Sequence, residues 1–223
     1  MYSRIFRIAV FAALTLVLSG CLTVGGKNTP RETYKPKYEL KNVSTRGVLP
    51  VTVRRVVVLP VFWAGDSHSP FVADLDNILM MSLQRTNAFE LVPISRAQMF
   101  HLFGRNQFSS VQVLPDDLMS TIRNMYAADA VMFIDLTVNR PYRPLALGFR
   151  ARIVDLRNMT AVWAADSLFD SSDPAVAGAA MDYATRTTFN PYPVNNTGGI
   201  LQSPRAFAAF AADTLFATLP PRR

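Results

Sequence analysis

Two long apolar segments constrain the fold of this chain more than any other feature of its sequence. Residues 53–62 have the sequence VRRVVVLPVF and residues 130–138 have the sequence AVMFIDLTV. Neither segment alternates between apolar and polar residues, as a strand with one solvated face would. Such segments predict strands that are covered on both faces.

Helices are predicted between and after these strands. Apolar residues recur at helical spacing over residues 71–85. Ser95 is placed to cap a second helix that ends at Gly104, and residues 115–126 predict a third helix, with Met125 on its inward face. The other predicted elements are a short strand at 89–93, a hairpin formed by 147–154 and 161–169, and helices at 174–187 and 204–219.

The amino-terminal segment has the organisation of a secretory signal peptide. Arg4 and Arg7 precede an apolar run over residues 8–18 that is too short to span a bilayer as a mature helix. Residues 18–21 (Leu-Ser-Gly-Cys) resemble the lipobox of bacterial lipoproteins, in which the cysteine is acylated and becomes the new amino terminus. We therefore expect a signal peptide over 1–20 and a membrane anchor on Cys21. The alternative is an ordinary signal peptide with a coincidental cysteine.

Charge and cysteine content indicate the surroundings of an exported chain. The formal net charge is +7, which favours anionic neighbours such as lipid headgroups, cell-wall polymers or another envelope protein, and a secreted chain is not expected to bind nucleic acid. Cys21 is the only cysteine, so no disulfide can form within the chain. Leu22 is not acidic, and by the sorting pattern of lipoproteins this predicts the outer membrane, facing the periplasm.

The domain organisation follows from a shift in composition. Residues 21–50 are rich in Lys, Arg, Gly and Pro, and they predict a lipid-anchored flexible linker, either as a plain spacer or as a basic tether near headgroups. Residues 51–223 then form the predicted globular domain, and residues 220–223 (Pro-Pro-Arg-Arg) are expected to be a basic tail.

Three segments, taken together, resemble a known group of envelope proteins. They are 56–61 (VVVLPV), 127–131 (AADAV), and 151–155 (ARIVD) followed by 161–164 (AVWA). In this order they resemble the curli-secretion (CsgG-like) lipoproteins, the amino-terminal domain of the translocation protein TolB, and the lipoprotein activators of penicillin-binding proteins. The resemblance covers residues 53–219.

This resemblance implies an α/β fold, with a single domain of the anticodon-binding-domain-like type and one mixed β-sheet flanked by helices. It also implies binding or assembly rather than catalysis. The family usually has glycine in the hairpin turn, where Asn158 and Met159 stand in this chain, and glycine where Asp135 stands.

Catalytic motifs are not apparent, and we expect no enzyme, no metal site and no cofactor. His68 and His101 belong to no metal-ligand spacing, no Gly-x-Ser-x-Gly elbow occurs, and residues 60–62 stand where a phosphate-binding loop would follow the first strand. Charge at a helix end explains residues 116–117, and a turn at a strand end explains Asp155.

Candidate binding residues lie in a loop and on the central strands. Trp63 begins a loop at the carboxyl end of the first strand, where α/β folds bind ligands, although a hydrophobic lid over the core would explain it as well. Four arginines around the central strands indicate either a solvated sheet face or a partner-binding surface. They are Arg140, Arg143, Arg150 and Arg152.

Asp135 interrupts the second apolar segment, on the side of that strand expected to be covered. A buried carboxylate needs a cation or several hydrogen bonds. We therefore predict that Asp135 pairs with Arg150 or Arg152 on the next strand, the alternative being an exposed position at an open sheet edge.

Three functions are compatible with this sequence. The favoured one is a non-enzymatic accessory or assembly factor that docks on envelope proteins. The alternative is a subunit of a curli-type secretion pore, which would have to lend long alternating strands to a shared barrel. Residues 105–114 and 190–202 are too short and too rich in polar, Pro and Gly residues for that role. A hydrolase is disfavoured because neither a nucleophile nor a base is apparent.

Overall fold

The described residues form a seven-stranded sheet. The computed structural model describes residues 38–45, 47–65, 69–187 and 197–222, all within the unit that spans Tyr34–Arg223. The strands are β1 (Val43–Thr45), β2 (Arg55–Val58), β3 (Phe62–Trp63), β4 (Glu90–Pro93), β5 (Ala130–Arg140), β6 (Ala146–Asp155) and β7 (Thr160–Asp170). Their order across the sheet is β1-β7-β6-β5-β2-β4, and β3 pairs with β5 beyond the end of β2.

Helices cover this sheet on both faces. They are α1 (Pro70–Arg85), α2 (Arg96–Phe103), α3 (Leu118–Tyr126), α4 (Pro174–Thr187) and α5 (Pro204–Phe216), with a short 3₁₀ helix at Thr197–Leu201. The sheet is mixed, because β2 is parallel to β4 and β5, whereas β5, β6 and β7 are antiparallel. The predicted fold class, a single α/β domain with a mixed sheet flanked by helices, is confirmed. Among the residues that the structure describes, no helix combines the length and the apolar character needed to cross a membrane.

The valine run of β2 feeds two separate cores. Val56 and Val58 belong to a first core that includes residues of α1, α4 and α5. Val57 points the other way, into a second core with Phe108 and residues of α2 and α3. A strand covered on both faces needs no polar alternation, which explains the composition of this run.

The sequence predicts a strand in 53–62 that Pro60 ends, followed by a loop from Trp63; this is wrong in one respect, because pairing resumes after Pro60 in a second strand that includes Trp63. β2 ends at Val58 and β3 begins at Phe62. Pro60 lies between them and has no N–H to donate to a neighbouring strand. The break lets the chain bend before it pairs again with β5.

Local signals set the helix ends as predicted. Ser95 forms a capping box with Gln98, and Gly104 ends α2 in the left-handed conformation at φ 68°. The inward placement of Met125 is wrong, since its side chain is 58% exposed. α3 packs through Leu118 and Ile122, and its last turn leads into Ala127, which has φ 49° and turns the chain towards β5.

Asp129 holds the starts of β2 and β5 together. Its Oδ2 atom accepts hydrogen bonds from the backbone N–H groups of Arg54 and Arg55, both at 3.0 Å. Burial opposes ionisation of this carboxyl, but the two N–H groups and the Arg157 guanidinium outweigh it and lower the pKa of Asp129 below its usual value. The charged form is therefore the one that fixes the register of these strands.

The hairpin turn between β6 and β7 does without the glycine that the resemblance implies. Met159 takes the left-handed conformation at φ 56°, and its side chain is exposed. The Asn158 side chain supports the turn by accepting hydrogen bonds from the N–H and hydroxyl groups of Thr160.

The folded part of the chain begins before residue 51, so the predicted linker over 21–50 is too long. β1 pairs with the edge of β7, and its last two residues, Ser44 and Thr45, are exposed. Leu49 is 1% exposed, and its N–H donates to the carbonyl of Pro221. A short edge strand with polar residues has the composition of a linker, and for this reason composition alone did not predict β1.

The predicted basic tail is likewise part of the fold over residues 220–222. Arg222 forms a parallel bridge with Leu49 and donates a hydrogen bond to the carbonyl of Val53. Its guanidinium also lies 5.7 Å from the centre of the Phe89 ring. The two ends of the domain are thereby joined to each other.

We predict that Leu49→Ala lowers the free energy of unfolding by about 2–4 kcal/mol, because it removes a buried side chain from this junction. Val51→Ala is the matched control, since Val51 is 58% exposed, and it should change the stability by less than about 0.5 kcal/mol. Urea melts measure both values. If both substitutions changed the free energy of unfolding equally and only slightly, residues 47–50 would belong to the linker and not to the folded domain.

Candidate functional site

One face of the sheet is only partly covered by helices. On this face the second core lies over β2, β4 and β5 and reaches β6 only at Val154. No helix in the described part of the chain covers the outward residues of β6, β7 and β1, and we call this surface the open sheet face. It comprises Ser44, Gly148, Arg150, Arg152, Ala164, Asp166 and Leu168.

Strand register arranges these residues in rows. Arg150 lies between Asp135 of β5 and Asp166 of β7. In the next row, Arg152 lies between Phe133 and Ala164. The open sheet face therefore carries two guanidinium groups in neighbouring rows.

A third row adds an apolar end to this face. Gly148 lies between Val138 and Leu168, whose side chains are 37% and 49% exposed. Gly148 itself is buried, because the Thr137 hydroxyl and Val138 occupy the space that a side chain would take, so the two apolar groups are the exposed part of this row. A surface with cationic and apolar parts suits contact with another macromolecule.

The two arginines differ in their partners. The Nε atom of Arg150 donates to Asp166 at 2.8 Å, and both side chains are more than a third exposed. Arg152 is half-buried and forms no ion pair with any residue in the described part of the chain. The unneutralised charge of this face therefore resides on Arg152.

The other two predicted arginines lie at one end of β5 and β6. Arg140 makes two hydrogen bonds of 2.8 Å to Asp170, the residue at the end of β7. The Ser172 side chain and N–H, together with Arg140, lower the pKa of Asp170 below its usual value. Arg143 is exposed in the connection between β5 and β6, and it forms no ion pair with the described residues. The structure therefore groups Arg150 with Arg152 and places Arg140 and Arg143 apart from them.

Trp63 does not join the arginines. Its side chain packs against the first core, on the opposite face of the sheet from the open sheet face. The indole ring lies so close to Gly65 that a Cβ atom there would stand 2.4 Å from the indole Nε1. These contacts agree with the lid interpretation of Trp63. His68, in the same loop, lies outside the described residues.

Asp135 is buried as predicted, but its predicted pairing with an arginine is wrong. The side chain is 3% exposed and accepts hydrogen bonds from the hydroxyls of Ser109 and Ser110, at 2.9 and 2.8 Å, and from the Ser110 N–H at 2.9 Å. Arg150 stands directly opposite on β6, yet its guanidinium turns to Asp166. Several hydrogen bonds thus replace the cation that we expected.

Sequence reasoning missed an ion pair at the carboxyl ends of β2 and β4. The connections after these two strands cover opposite faces of the sheet, which in an α/β fold creates a crevice between their ends. A crevice of about 380 Å³ is present here. Asp76 of α1 and Arg96 of α2 meet in it, with Nε and Oδ2 2.8 Å apart. No local pattern marks either residue, because each lies on a separate helix.

The atoms of this pair are fully engaged. Arg96 also donates to the carbonyl of Val61 and to the side chain of Gln107, while Asp76 accepts from the N–H of Val61 at 2.8 Å. Burial raises the pKa of Asp76 above its ordinary value, against the opposing effects of the Val61 N–H and the Arg96 guanidinium. The arrangement holds chain segments together rather than leaving a reactive group free.

Within the described residues, no three His, Cys, Asp or Glu side chains come together as a metal ion would require. Asp155, the strand-end carboxylate, accepts a hydrogen bond from the N–H of Arg157 and so supports the turn.

No protein-family model matches this sequence, and no curated protein matches it. Solved structures with some similarity include the PelC dodecamer from Paraburkholderia phytofirmans, which is 12% identical to this chain. The match covers 81% of this chain and 97% of the PelC chain, with a TM-score of 0.44. Lipoprotein GNA1162 from Neisseria meningitidis is 15% identical, covers 59% of this chain and 94% of its own, and has a TM-score of 0.42.

A third similar structure is the C-terminal domain of LpoB from Salmonella enterica. It is 15% identical, covers 56% of this chain and 86% of its own, and has a TM-score of 0.37. Bacterial lipoproteins thus occur among the similar structures, but identities and TM-scores this low assign no family to the chain. The resemblance to the curli-secretion and TolB domains stays a prediction.

We predict that Asp135→Ala lowers the free energy of unfolding by about 2–4 kcal/mol, because it leaves the N–H and hydroxyl of Ser110 buried without an acceptor. In double-mutant cycles, Asp135 should couple to Ser110→Ala by about 1 kcal/mol and to Arg150→Ala by less than about 0.5 kcal/mol. Denaturant melts give both coupling energies. A larger coupling energy with Arg150 than with Ser110 would instead support an ion pair between Asp135 and Arg150.

Proposed function

We propose that this protein is a lipoprotein anchored in the outer membrane and facing the periplasm, and that it acts as a non-enzymatic accessory or assembly factor through contacts with other envelope proteins. The observation that carries the proposal is the sequence Leu18-Ser19-Gly20-Cys21 directly after a basic and an apolar segment. Acylation of Cys21 would hold the folded domain at the membrane surface.

The engagement of the buried charges supports a role other than catalysis. A catalytic acid or base needs a proton-transfer atom within reach of a substrate. Asp76, Asp135 and Asp213 instead direct their carboxylates to partners within the fold, with Asp213 accepting from Arg85 and Tyr183. Each of these carboxylates joins different segments of the chain, which is a structural task.

The open sheet face is the surface that we propose for docking. Arg152 offers a half-buried cation that forms no ion pair with the residues the structure describes, and Leu168 offers an apolar side chain on the same face. A complementary partner would present a carboxylate beside an apolar group, since charge complementarity sets the specificity of an interface and burial of apolar area supplies affinity.

The alternative role, as a subunit of a curli-type pore, would need a segment that can be released from the fold as long strands. The segment at 104–117 is tied down: Phe108 is fully buried in the second core, and Ser109 and Ser110 bond to Asp135. Releasing it would leave a buried carboxylate unpaired. We therefore favour the accessory role over the pore.

The anchor predicts where the protein is found. Cys21→Ser should move the protein from the membrane pellet to the soluble or unprocessed fraction, because no acyl chain can be attached. Leu22→Asp is the matched variant, since it keeps the acylated residue but places an acid after it, and it should shift the protein towards inner-membrane fractions. Density-gradient fractionation with immunoblotting reads out both. A Cys21→Ser protein that remains in the outer-membrane fractions would contradict the anchor.

If a partner docks on the open sheet face, a crosslinker on this face should capture the partner in cells that produce the protein, and a crosslinker on the opposite face should not. A photoactivatable p-benzoylphenylalanine at Leu168 should give a discrete higher-mass adduct, whereas the same group at Met81 should not. The two positions are matched, because their side chains are 49% and 50% exposed and lie over opposite faces of the sheet.

The charge of the same surface gives the control. Arg152→Glu should reduce the Leu168 adduct about tenfold, because it places a carboxylate where the partner is expected to present one. Arg186→Glu, an exposed arginine on α4, should leave the adduct unchanged. Equal adduct yields from Leu168 and Met81, or equal effects of the two charge reversals, would count against docking through the open sheet face.

A further inference from the structure

β3 has a free edge that a side chain occupies in place of a strand. Phe62 and Trp63 pair with Asp135 and Leu136 of β5 on one side. No strand within the described residues pairs with the other side, because β4 ends at Pro93, level with Val58 of β2. In the described part of the chain β3 therefore has one unpaired edge, because β3 lies beyond the point at which β4 ends.

The carboxamide of Gln107 fills this edge. Its Nε2 donates to the Trp63 carbonyl at 2.8 Å, and its Oε1 accepts from the Trp63 N–H at 3.2 Å. These are the two main-chain groups of β3 that a further strand would bond. The side chain thus places one donor and one acceptor where an added peptide backbone would place its own.

A cleft of about 660 Å³ lies beside this edge. Phe62 and Phe100 give it an apolar lining, and the Phe100 side chain is 64% exposed, which is unusual for so large an apolar group. We call it the β3-edge cleft. Its principal lining residues are Phe62, Arg96, Phe100, Arg105, Asn106 and Gln107.

The charge of the cleft comes from Arg105. Arg96 is neutralised by Asp76, whereas Arg105 is exposed and has no carboxylate partner in the described part of the chain; its guanidinium lies 5.6 Å from the centre of the Phe108 ring. A guanidinium already stacked on a ring keeps its hydrogen-bonding edge free for a carboxylate. The ligand chemistry that fits is therefore a carboxylate near an apolar side chain.

We propose that the β3-edge cleft binds an extended segment of a partner protein by strand addition to β3. The backbone of the segment takes the place of the Gln107 carboxamide on Trp63, an acidic side chain meets Arg105, and an apolar side chain packs on Phe100. Strand addition draws affinity from main-chain hydrogen bonds and specificity from pockets for alternate side chains. This inference concerns a surface separate from the open sheet face and does not depend on that face binding anything.

The side-chain chemistry is tested by selecting a displayed library of random heptapeptides on the full chain, purified in detergent. The expected peptides combine Asp or Glu with an aromatic or aliphatic residue. Arg105→Glu should weaken their binding at least about tenfold, and Arg123→Glu should not, since Arg123 is also exposed and forms no ion pair with the described residues. Failure to enrich such peptides, or equal effects of the two charge reversals, would overturn the proposal.

The strand addition is tested with the selected peptide. N-methylation of the peptide residue whose N–H donates to the Trp63 carbonyl should lower affinity about tenfold, because it removes one main-chain donor. Gln107→Ala should raise affinity about tenfold, equivalent to 1.4 kcal/mol at 25 °C, because the peptide no longer competes with a side chain. A thermal melt confirms that the variant is folded.

Nuclear magnetic resonance provides a readout that needs no variant. At saturating peptide, the side-chain amide resonances of Gln107 and the backbone amide resonance of Trp63 should both shift, since both groups change partners. Unmoved resonances, N-methylated peptides that bind as well as their parents, or a folded Gln107→Ala protein with unchanged affinity would each overturn strand addition.

Discussion

The ion pair between Arg96 and Asp76 is the interaction on which the rest of this structure depends. The Arg96 guanidinium contacts α1 through Asp76, the connection between β2 and β3 through the Val61 carbonyl, and the segment after α2 through Gln107. Breaking a pair of this kind costs about 3–5 kcal/mol, because it leaves an uncompensated charge in a largely buried place. It also holds the irregular stretch around Pro60 that lets the chain leave β2 and pair again as β3.

The same pair explains why function should be sought on surfaces in this protein. In α/β folds the crevice at the carboxyl ends of adjacent strands is the usual ligand site. Here a guanidinium, a carboxylate and the N–H and carbonyl of Val61 bond to one another inside it. A ligand there would have to break the ion pair between Arg96 and Asp76, whereas a strand added at β3 would supply to Trp63 the same donor and acceptor that Gln107 now supplies. The remaining candidates are the open sheet face and the β3-edge cleft, both of which suit macromolecules better than small substrates.

The sequence was sufficient where the signal is local. The cap at Ser95, the left-handed Gly104 and the buried strands are set by residues within a few positions of one another, so pattern and propensity predict them. It was insufficient where partners are distant in the chain. Asp135 could be predicted to be buried, but its partners at 109–110 come from a loop that periodicity cannot place, and the junction of Leu49 with Arg222 joins opposite ends of the domain. The candidate site was also only partly predictable. Alternation along β6 placed Arg150 and Arg152 on one face. The ion-pair partners of Arg150 and Arg140 could not be predicted, because both are acidic residues of β7.

The shape of the open sheet face follows from one irregularity in the ladder between β5 and β6. A register shift occurs between Leu136 and Val138, and such a bulge bends the strand and redirects its side chains. At this point Gly148 is required, because a Cβ atom there would stand 2.4 Å from the Thr137 Oγ1 and 3.0 Å from the Val138 nitrogen. The bulge therefore excludes a side chain at 148 and leaves Val138 exposed on the same face. The apolar end of the open sheet face arises from the same backbone geometry that ends the regular pairing of β5, so a change at Gly148 would alter the fold and this surface together.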